Sequence, residues 1–464
     1  MQLYVKECRK IAASIVYYLF IVLLIVNWYQ NFAGVTQEEI EWAKGGSAPA
    51  YTFDRPLLKE PSPEDESFGS KAVEDPEKIM RGATDSLLME YENNLYATYP
   101  FGYYKAVSLD AEKQARILDI LCEITGLTEE QLENLPDDYF PAVNGTIIHF
   151  GAIAADESSE GFSITMGDDT GTDDESDFTK KFIPQVSYEQ FLVLMAEVES
   201  LIGEAGSRYS KEMMITYFGI TEMTYEEALS DYHQTIDNDK VTGGFARLFC
   251  DYIGQVLGLY PVFLTVVIWL KDRYSKMNEL IDYRQVSSDK LVLSRYFASV
   301  TMILLPVVLL SFQSLLPLMG YAEEQGLAVD YFAFIKYIMW WLVPTVIIVT
   351  ALGTCVTLLT DTPVAILLQF AWWFIDRGIT GLSGDTHLFT LMVRHNTLRG
   401  FEIIQRDFSA ICANRLCLVC FSGVLLLFSI WIIVQKRKGK INAAAMYEKW
   451  FCFIKNKLGA GHQV

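Results

Sequence analysis

The densest set of chemically able side chains lies between Gly167 and Asp177, where Asp168, Asp169, Asp173, Asp174, Glu175 and Asp177 surround Gly171. Hard cations prefer oxygen ligands, so the run invites a calcium reading. The helix-loop-helix calcium loop wants a carboxylate at its twelfth position, and this spacing does not provide one. A solvated, self-repelling surface loop accounts for the same residues. Asp168, Asp169, Asp173 and Asp174 remain the only candidate metal ligands. Other chemistry is sparse. His149, His233, His387, His395 and His462 form no His-Glu-x-x-His helix, and the one Cys-x-x-Cys pair, Cys417 and Cys420, lies in the last apolar run with no second pair to complete a site. Neither a structural zinc site nor a His-based hydrolase is suggested. No glycine-rich phosphate loop ending in Lys and Ser or Thr occurs, so the chain is expected to be no enzyme and to carry no cofactor of its own.

Charges inside apolar segments ordinarily mark ion or proton paths. Asp251, Lys336, Asp376 and Arg377 fall near the ends of the apolar segments, within reach of water, and Asp361 falls in a turn. The centres of those segments are nearly free of ionisable groups. A proton-coupled carrier therefore lacks its usual machinery, and a transporter with this core must draw its energy from elsewhere.

The loop from Lys271 to Arg295 is the most informative polar stretch. Met277, Leu280 and Ile281 are apolar at helical spacing beside Lys276, Glu279, Asp282 and Arg284, the pattern of a short amphipathic helix. Ser287 or Ser288 can then cap a new helix running through Leu291 and Leu293. Such a helix either docks into a groove on a partner or rests on anionic lipid.

The elements that must carry these residues are membrane spans. A helix needs about 20 apolar residues to cross the hydrocarbon core. Six stretches meet or approach that length: 11–28, 252–270, 297–319, 337–359, 364–379 and 416–434. The fifth is the weakest, since Asp376 and Arg377 follow its clean apolar run. The first ends on Trp28 and Tyr29, suited to the headgroup interface, and reads as a retained signal-anchor. Cations settle the direction. Lys6, Arg9 and Lys10 precede the first span, six Lys and Arg fill the loop between the second and third, and Lys436, Arg437, Lys438 and Lys440 follow the sixth. These clusters share the cytoplasmic side only if all six stretches cross. Both termini are then cytoplasmic in a multi-pass protein of the cell membrane. Thr360 to Pro363 make a tight inner turn in which Thr362 or Asp361 can cap the next helix. Outside, 381–415 mixes His387, Arg394, His395, Arg399 and Arg406 with apolar residues and suits an amphipathic interfacial helix.

Overall composition agrees with this segregation. The chain has 464 residues, 51% hydrophobic, with a net charge of −21. Residues 31–247 hold 43 acidic against 15 basic side chains, leaving the rest of the chain net positive. A surface so anionic excludes nucleic acid as a partner. Only Cys122 lies clearly inside the acidic domain, so no disulfide framework supports it. Within the domain, 31–77 reads as a tether rich in Pro, Gly, Ser and acid. Capping boxes at Thr128/Gln131, Ser187/Gln190 and Thr224/Glu227 predict helices over 129–135, 188–202 and 225–235, with a further helix over 109–124. Branched and aromatic residues over 140–153 and 161–166 predict a small sheet.

The expected fold is thus an α-helical integral membrane protein: six transmembrane helices with a mainly helical (α+β) extracellular domain between the first two. Its parts are 1–30 (N-terminus and first span), 31–247 (outer domain), 248–270 (second span), 271–296 (inner loop), 297–380 (third to fifth spans), 381–415 (outer segment), 416–435 (sixth span) and 436–464 (tail).

The run from Met277 to Tyr296, Met-Asn-Glu-Leu-Ile-Asp-Tyr-Arg-Gln-Val-Ser-Ser-Asp-Lys-Leu-Val-Leu-Ser-Arg-Tyr, resembles the loop between the second and third spans of ABC-2 type permeases. Arg394-His-Asn-Thr-Leu-Arg-Gly400 is similar to their outer segment before the last span. The layout, with a large outer domain after the first span, resembles the permeases of Gram-positive bacteria. The resemblance covers roughly the membrane half of the chain. It implies an exporter's membrane subunit, paired with a second, identical or related, permease subunit in the lipid bilayer and driven by an ABC ATPase subunit that holds ATP and Mg. The loop would be the coupling helix, with Glu279, Tyr283 and Arg284 as contacts to the ATPase and Met277 and Leu280 as apolar anchors. Arg394 and Arg399 would serve an outer gate, bind anionic cargo or anchor lipid headgroups. The alternatives are a membrane-anchored receptor or sensor, or a peptide-sequestering protein, using the outer domain, and a membrane enzyme acting on lipid or cell-wall intermediates.

Overall fold

The computed structural model describes residues 2–46, 55–65, 67–99, 104–135, 139–140, 146–149, 165–168, 182–203, 206–275, 286–379, 387–395 and 397–440. In chain order its elements are α1 (Gln2–Ala12), α2 (Ile15–Trp28), α3 (Gly34–Ala43), β1 (Ser70–Ala72), α4 (Pro76–Asn93), β2 (Tyr96–Thr98), β3 (Lys105–Val107), α5 (Ala111–Thr125), α6 (Glu129–Leu132), β4 (Thr146–His149), β5 (Thr165–Asp168), α7 (Tyr188–Ile202), α8 (Lys211–Phe218), β6 (Ile220–Glu222), α9 (Tyr225–His233), α10 (Thr242–Leu257), α11 (Pro261–Tyr274), α12 (Ser288–Gln325), α13 (Ala333–Tyr337), α14 (Val343–Thr360), α15 (Val364–Ile379), α16 (Phe401–Arg406) and α17 (Phe408–Arg437). Single π-helical turns occupy Tyr29–Ala33, Gln234–Asn238 and Ile338–Leu342.

The chain divides into two units. The first takes residues 1–52, 56–61 and 229–464, and the second takes 53–55 and 62–228. In the first unit, five helices are long and apolar enough to cross a membrane: Ile15–Ala43, Thr242–Tyr274, Ser288–Gln325, Ala333–Thr360 and Phe408–Arg437. Val364–Asp376 is a shorter apolar helix, as its early charges lead one to expect. Several boundaries differ from the hydropathy pattern. The first helix does not give way to a tether at residue 31 but continues through a π-turn to Ala43, because Phe32 and Ile40 are buried in the bundle core. The extended backbone at Ser14 breaks the helix, so α1 is a separate element before the first apolar run. The second long helix begins ten residues before the expected span, since Phe245, Leu248 and Phe249 pack inward.

One hydrophobic core joins these helices. Phe32, Phe249 and Phe334 meet edge to face at 5.5 to 6.2 Å between ring centroids, tying α10 to the π-turn after α2 and to α13. Aromatic pairs of this geometry add about 0.5–1.5 kcal/mol each beyond the area they bury. The outward faces are apolar as well: Leu19, Val22, Leu309, Phe312, Leu367 and Leu427 are all exposed. Rows of this kind exceed the apolar patches of ordinary aqueous surfaces.

The second unit has its own core of Ile79, Leu87, Ile117, Leu121, Phe191, Met195, Val198 and Met214, drawn from α4, α5, α7 and α8. Asp75 accepts from the amides of Glu77 and Lys78 and Pro76 occupies the first turn, which seats α4, the central helix that the spacing of caps alone does not reveal. The capping box at Thr128 is present, but α6 closes at Leu132. Ser187 accepts the Gln190 amide at the start of α7. Thr224 and Glu227 exchange bonds at the start of α9. The small sheet expected over 140–153 and 161–166 is the antiparallel pair β4 with β5, and among the described residues two further antiparallel pairs occur, β1 with β6 and β2 with β3. Arg116 clamps α5 to α7 through a two-pronged bond to Glu197 at 2.7 and 2.8 Å.

Glu90 of α4 is buried, accepting the Ala97 amide at 3.0 Å and the Tyr209 hydroxyl at 2.5 Å. Loss of solvent raises its carboxyl to about 7, against the lowering pull of those two bonds and of nearby Arg208. The Arg208 guanidinium lies 5.9 Å from the Tyr99 ring centre and 5.5 Å from that of Tyr217.

Candidate functional site

The helices of the first unit share two ends. At one, α3 closes and α10 opens, the two points of the sequence between which the second unit is inserted; this is the insertion end. At the other lie α1, the close of α11, the opening of α12, the α14–α15 turn and the close of α17, called here the terminal end. Each end is tied by buried charges.

At the insertion end residues 387–395, between α15 and α16, run inward without helix. Leu391, Met392, Val393, Arg394 and His395 are all buried. Backbone amides and carbonyls removed from water must find partners, and here side chains from neighbouring helices supply them. Asp376 of α15 accepts the amides of Leu391 and Met392 at 2.8 and 3.2 Å. Asp251 of α10 accepts Nε of Arg394 at 2.5 Å and the His395 amide at 2.8 Å. Asn414 of α17 donates to the carbonyls of His387, Leu388 and Thr390 at 2.7 to 3.0 Å. Its neighbour Arg415 donates to the carbonyls of Thr390, Leu391 and Trp341 and to the Thr345 hydroxyl. Three helices therefore hold one irregular strand of backbone. His395 donates Nε2–H to the Arg399 carbonyl at 2.7 Å, and burial holds its imidazole below the ordinary range, hence neutral near pH 7.

A second clamp lies beside the first. Arg247 of α10 forks onto Asp239 at 2.5 and 2.6 Å and donates to the Leu398 carbonyl at 3.2 Å. Lys240 and Val241, just before α10, sit at φ +48° and +63°. A branched side chain tolerates that region poorly, so the fork and the buried Val241 side chain hold a strained bend.

At the terminal end, Arg295 of α12 is buried over the Trp269 ring, 4.6 Å from its centre, and pairs with Glu7 and Asp272. Lys10 of α1 bonds Asp272 at 2.5 Å. The network docks α1 onto the ends of α11 and α12. Asp361, at φ +55° in the α14–α15 turn, pairs with Arg273 at 2.6 Å and Lys436 at 2.7 Å. Arg437 donates to the Val286 carbonyl and the Ser288 hydroxyl, joining α17 to the start of α12.

The residues singled out by sequence fall unevenly on this frame. Met277, Glu279, Leu280, Tyr283 and Arg284 lie outside the described residues, as do Asp169, Asp173 and Asp174. Asp168 closes β5, opposite Thr146. Arg394 is not a surface cation but one half of the buried pair with Asp251. Arg399 lies 3.6 Å from Asp231. Asp251 and Asp376, whose positions suggest access to water, are buried, because the 391–395 segment folds over them. Lys336 does reach solvent, beside Asp330. Among the described residues the outer segment is helical over α16 and again from Phe408, where α17 opens, not as one interfacial helix, since its middle is consumed by the clamps. Among the described residues no group of three or more His, Cys, Asp or Glu gathers to hold a metal.

Glu7, Asp239, Arg247, Arg295, Asn414 and Arg415 carry the clamps without having stood out in the sequence. Their signal was faint: single charges beside apolar runs, each with its partner far along the chain. Compared with family models, with curated proteins and with solved structures, the chain matches none.

Proposed function

We propose that the chain is the membrane-spanning subunit of an ABC-type exporter, its six apolar helices crossing the bilayer with the acidic domain outside and both termini in the cytoplasm. Cargo would move on energy from ATP hydrolysed by a separate ATPase subunit, with a second permease subunit completing the assembly. The observation that carries this reading is the charge network of Glu7, Lys10, Asp272 and Arg295, which braces α1, α11 and α12 on either side of residues 276–285. A loop that receives force from a motor needs a stiff mount, and buried hydrogen-bonded charges supply one because separating them strands an unpaired ion. The grouping of basic residues Lys10, Arg273, Arg295, Lys436 and Arg437 at this same end agrees with a cytoplasmic face.

Purification from native membranes tests the proposal: a nucleotide-hydrolysing subunit should accompany the chain, and E279R or R284E should separate hydrolysis from transport while leaving the fold intact. Recovery without any such subunit would favour a receptor, sensor or peptide-sequestering protein built on the acidic domain. Normal coupling in both variants would remove those two residues from the motor contact.

A further inference from the structure

A cavity of about 320 Å³ opens at the insertion end, between the Asp239–Arg247 fork and the Asp330–Lys336 pair. That size stands at the lower edge of the roughly 300–1,000 Å³ typical of small-molecule sites. Its walls come from two of the π-helical turns: Asn238 closes one, and Trp340 lies within the other, which begins directly after Tyr337. Single π-turns shift side chains off the α-helical register and recur at functional sites. The strained Lys240–Val241 bend adjoins the same wall.

Three aromatic side chains, Tyr337, Trp340 and Phe401, line the space together with the carboxylates of Asp239 and Asp330. Aromatic faces are electron-rich and attract cations. The protein already uses this property here, for Arg247 lies 5.9 Å from the ring centres of both Tyr337 and Phe401. Asp239 is neutralised by the buried Arg247, whereas Asp330 accepts the Phe332 amide at 3.0 Å and pairs with Lys336, whose side chain is 65% exposed. An exposed pair of that kind is worth about 0–1 kcal/mol, so an incoming ammonium displaces Lys336 at little cost. With Lys336 displaced, the Asp330 carboxylate and the electron-rich ring faces make a lining that suits a cation better than an anion.

We propose that this cavity binds an organic cation with an apolar body, its charged nitrogen taking the place of Lys336 at Asp330 and its apolar part lying against Trp340. The site belongs to the first unit alone and needs neither nucleotide nor an ATPase, so it stands or falls separately from the exporter reading.

The test uses the full-length protein in lipid nanodiscs and isothermal titration with benzyltriethylammonium, with benzoate as the anionic control. Saturable binding of the cation and none of benzoate is expected. D330N should weaken cation binding at least tenfold, W340L should do likewise, and K336A should strengthen it about threefold to tenfold by removing the resident competitor. A protein that merely needs these residues for folding would not gain affinity in K336A. No binding of the cation at millimolar concentration, affinity unchanged in D330N, or benzoate binding that K336A abolishes would each overturn the proposal. Should W340L fail to fold, D330N and K336A, which alter partly exposed side chains, still decide it.

Discussion

Separating Asp251 from Arg394 should be among the most damaging single changes in the bundle, and removing both charges together should be far milder. The carboxylate is fully buried and the guanidinium nearly so, at 0% and 8% side-chain exposure, with 2.5 Å between the bonded atoms. In D251L the guanidinium loses its counter-charge, and Nε of Arg394 and the His395 amide both lose their acceptor. Stranding a buried charge costs about 3–5 kcal/mol. R394M strands Asp251 instead, relieved in part by the amide bond it keeps, so a figure near the lower bound, ~3 kcal/mol, is expected. In D251L/R394M neither ion of the pair remains and the His395 amide is orphaned, at about 1–3 kcal/mol. The two single losses, at least about 3 kcal/mol each, thus exceed the double loss by at least ~3 kcal/mol, a coupling at the top of the range seen for contacting residues. Unfolding by sodium dodecyl sulfate in mixed micelles, followed by circular dichroism, measures all four proteins on one scale. Additivity within about 0.5 kcal/mol would refute the argument, because it would mean that the pair is wet or already broken.

Three further outcomes follow from other parts of the molecule. Glu90, whose carboxyl is raised from 4.5 to about 7, favours the folded state most when protonated; its contribution is full below pH 4.5 and falls away as pH rises through 7, by roughly 3 kcal/mol. Thermal unfolding of the full chain between pH 5 and 8.5 should show the acidic domain losing stability with rising pH, and E90Q should flatten that slope; an equal slope in E90Q would exclude Glu90 as its source. R295K keeps the charge but loses the planar fork that meets Glu7 and Asp272 and stacks on Trp269, so α1 should loosen by about 1–3 kcal/mol, seen as faster tryptic cleavage at Lys6, Arg9 or Lys10. Gly258 sits where a methyl group would come within 2.8 Å of Met392 Sδ and 3.0 Å of Trp373 Cδ1, so G258A should destabilise the insertion end by about 1–3 kcal/mol, and an unchanged unfolding midpoint would show that this packing yields.

The long helices were legible because their signal is local. An apolar run such as 416–434 announces itself whatever the rest of the chain does, and the shortness of Val364–Asp376 follows from the charges that end it. Caps were legible for the same reason: Thr128, Ser187 and Thr224 each find their partner three residues on. Helix α4 escaped notice although Asp75-Pro76 is a clear start and Ile79, Ala83 and Leu87 recur at helical spacing, because the acidic, proline-rich stretch before it carried the expected tether past its cap to residue 77. The strands beyond β4 and β5 are three residues long and have no pattern to read.

The clamps were illegible for a deeper reason. Asp251 and Arg394 are 143 positions apart, and Glu7 and Arg295 are 288 apart. A lone Asp near the end of an apolar run is, from sequence, a charge that reaches for water; only the fold shows that a backbone segment arrives to take its place. The physical logic then reverses. Irregular backbone buried among helices is affordable only where donors and acceptors wait for it, so Asp376, Asp251, Asn414 and Arg415 are the condition on which 387–395 lies inside the bundle. The strong bonds therefore sit at the two ends, with apolar contacts between. Apolar faces slide at small cost, whereas each buried pair breaks at the cost of a stranded ion. Large rearrangements of this bundle should accordingly carry each clamped cluster as a rigid body and shear the apolar middle between them.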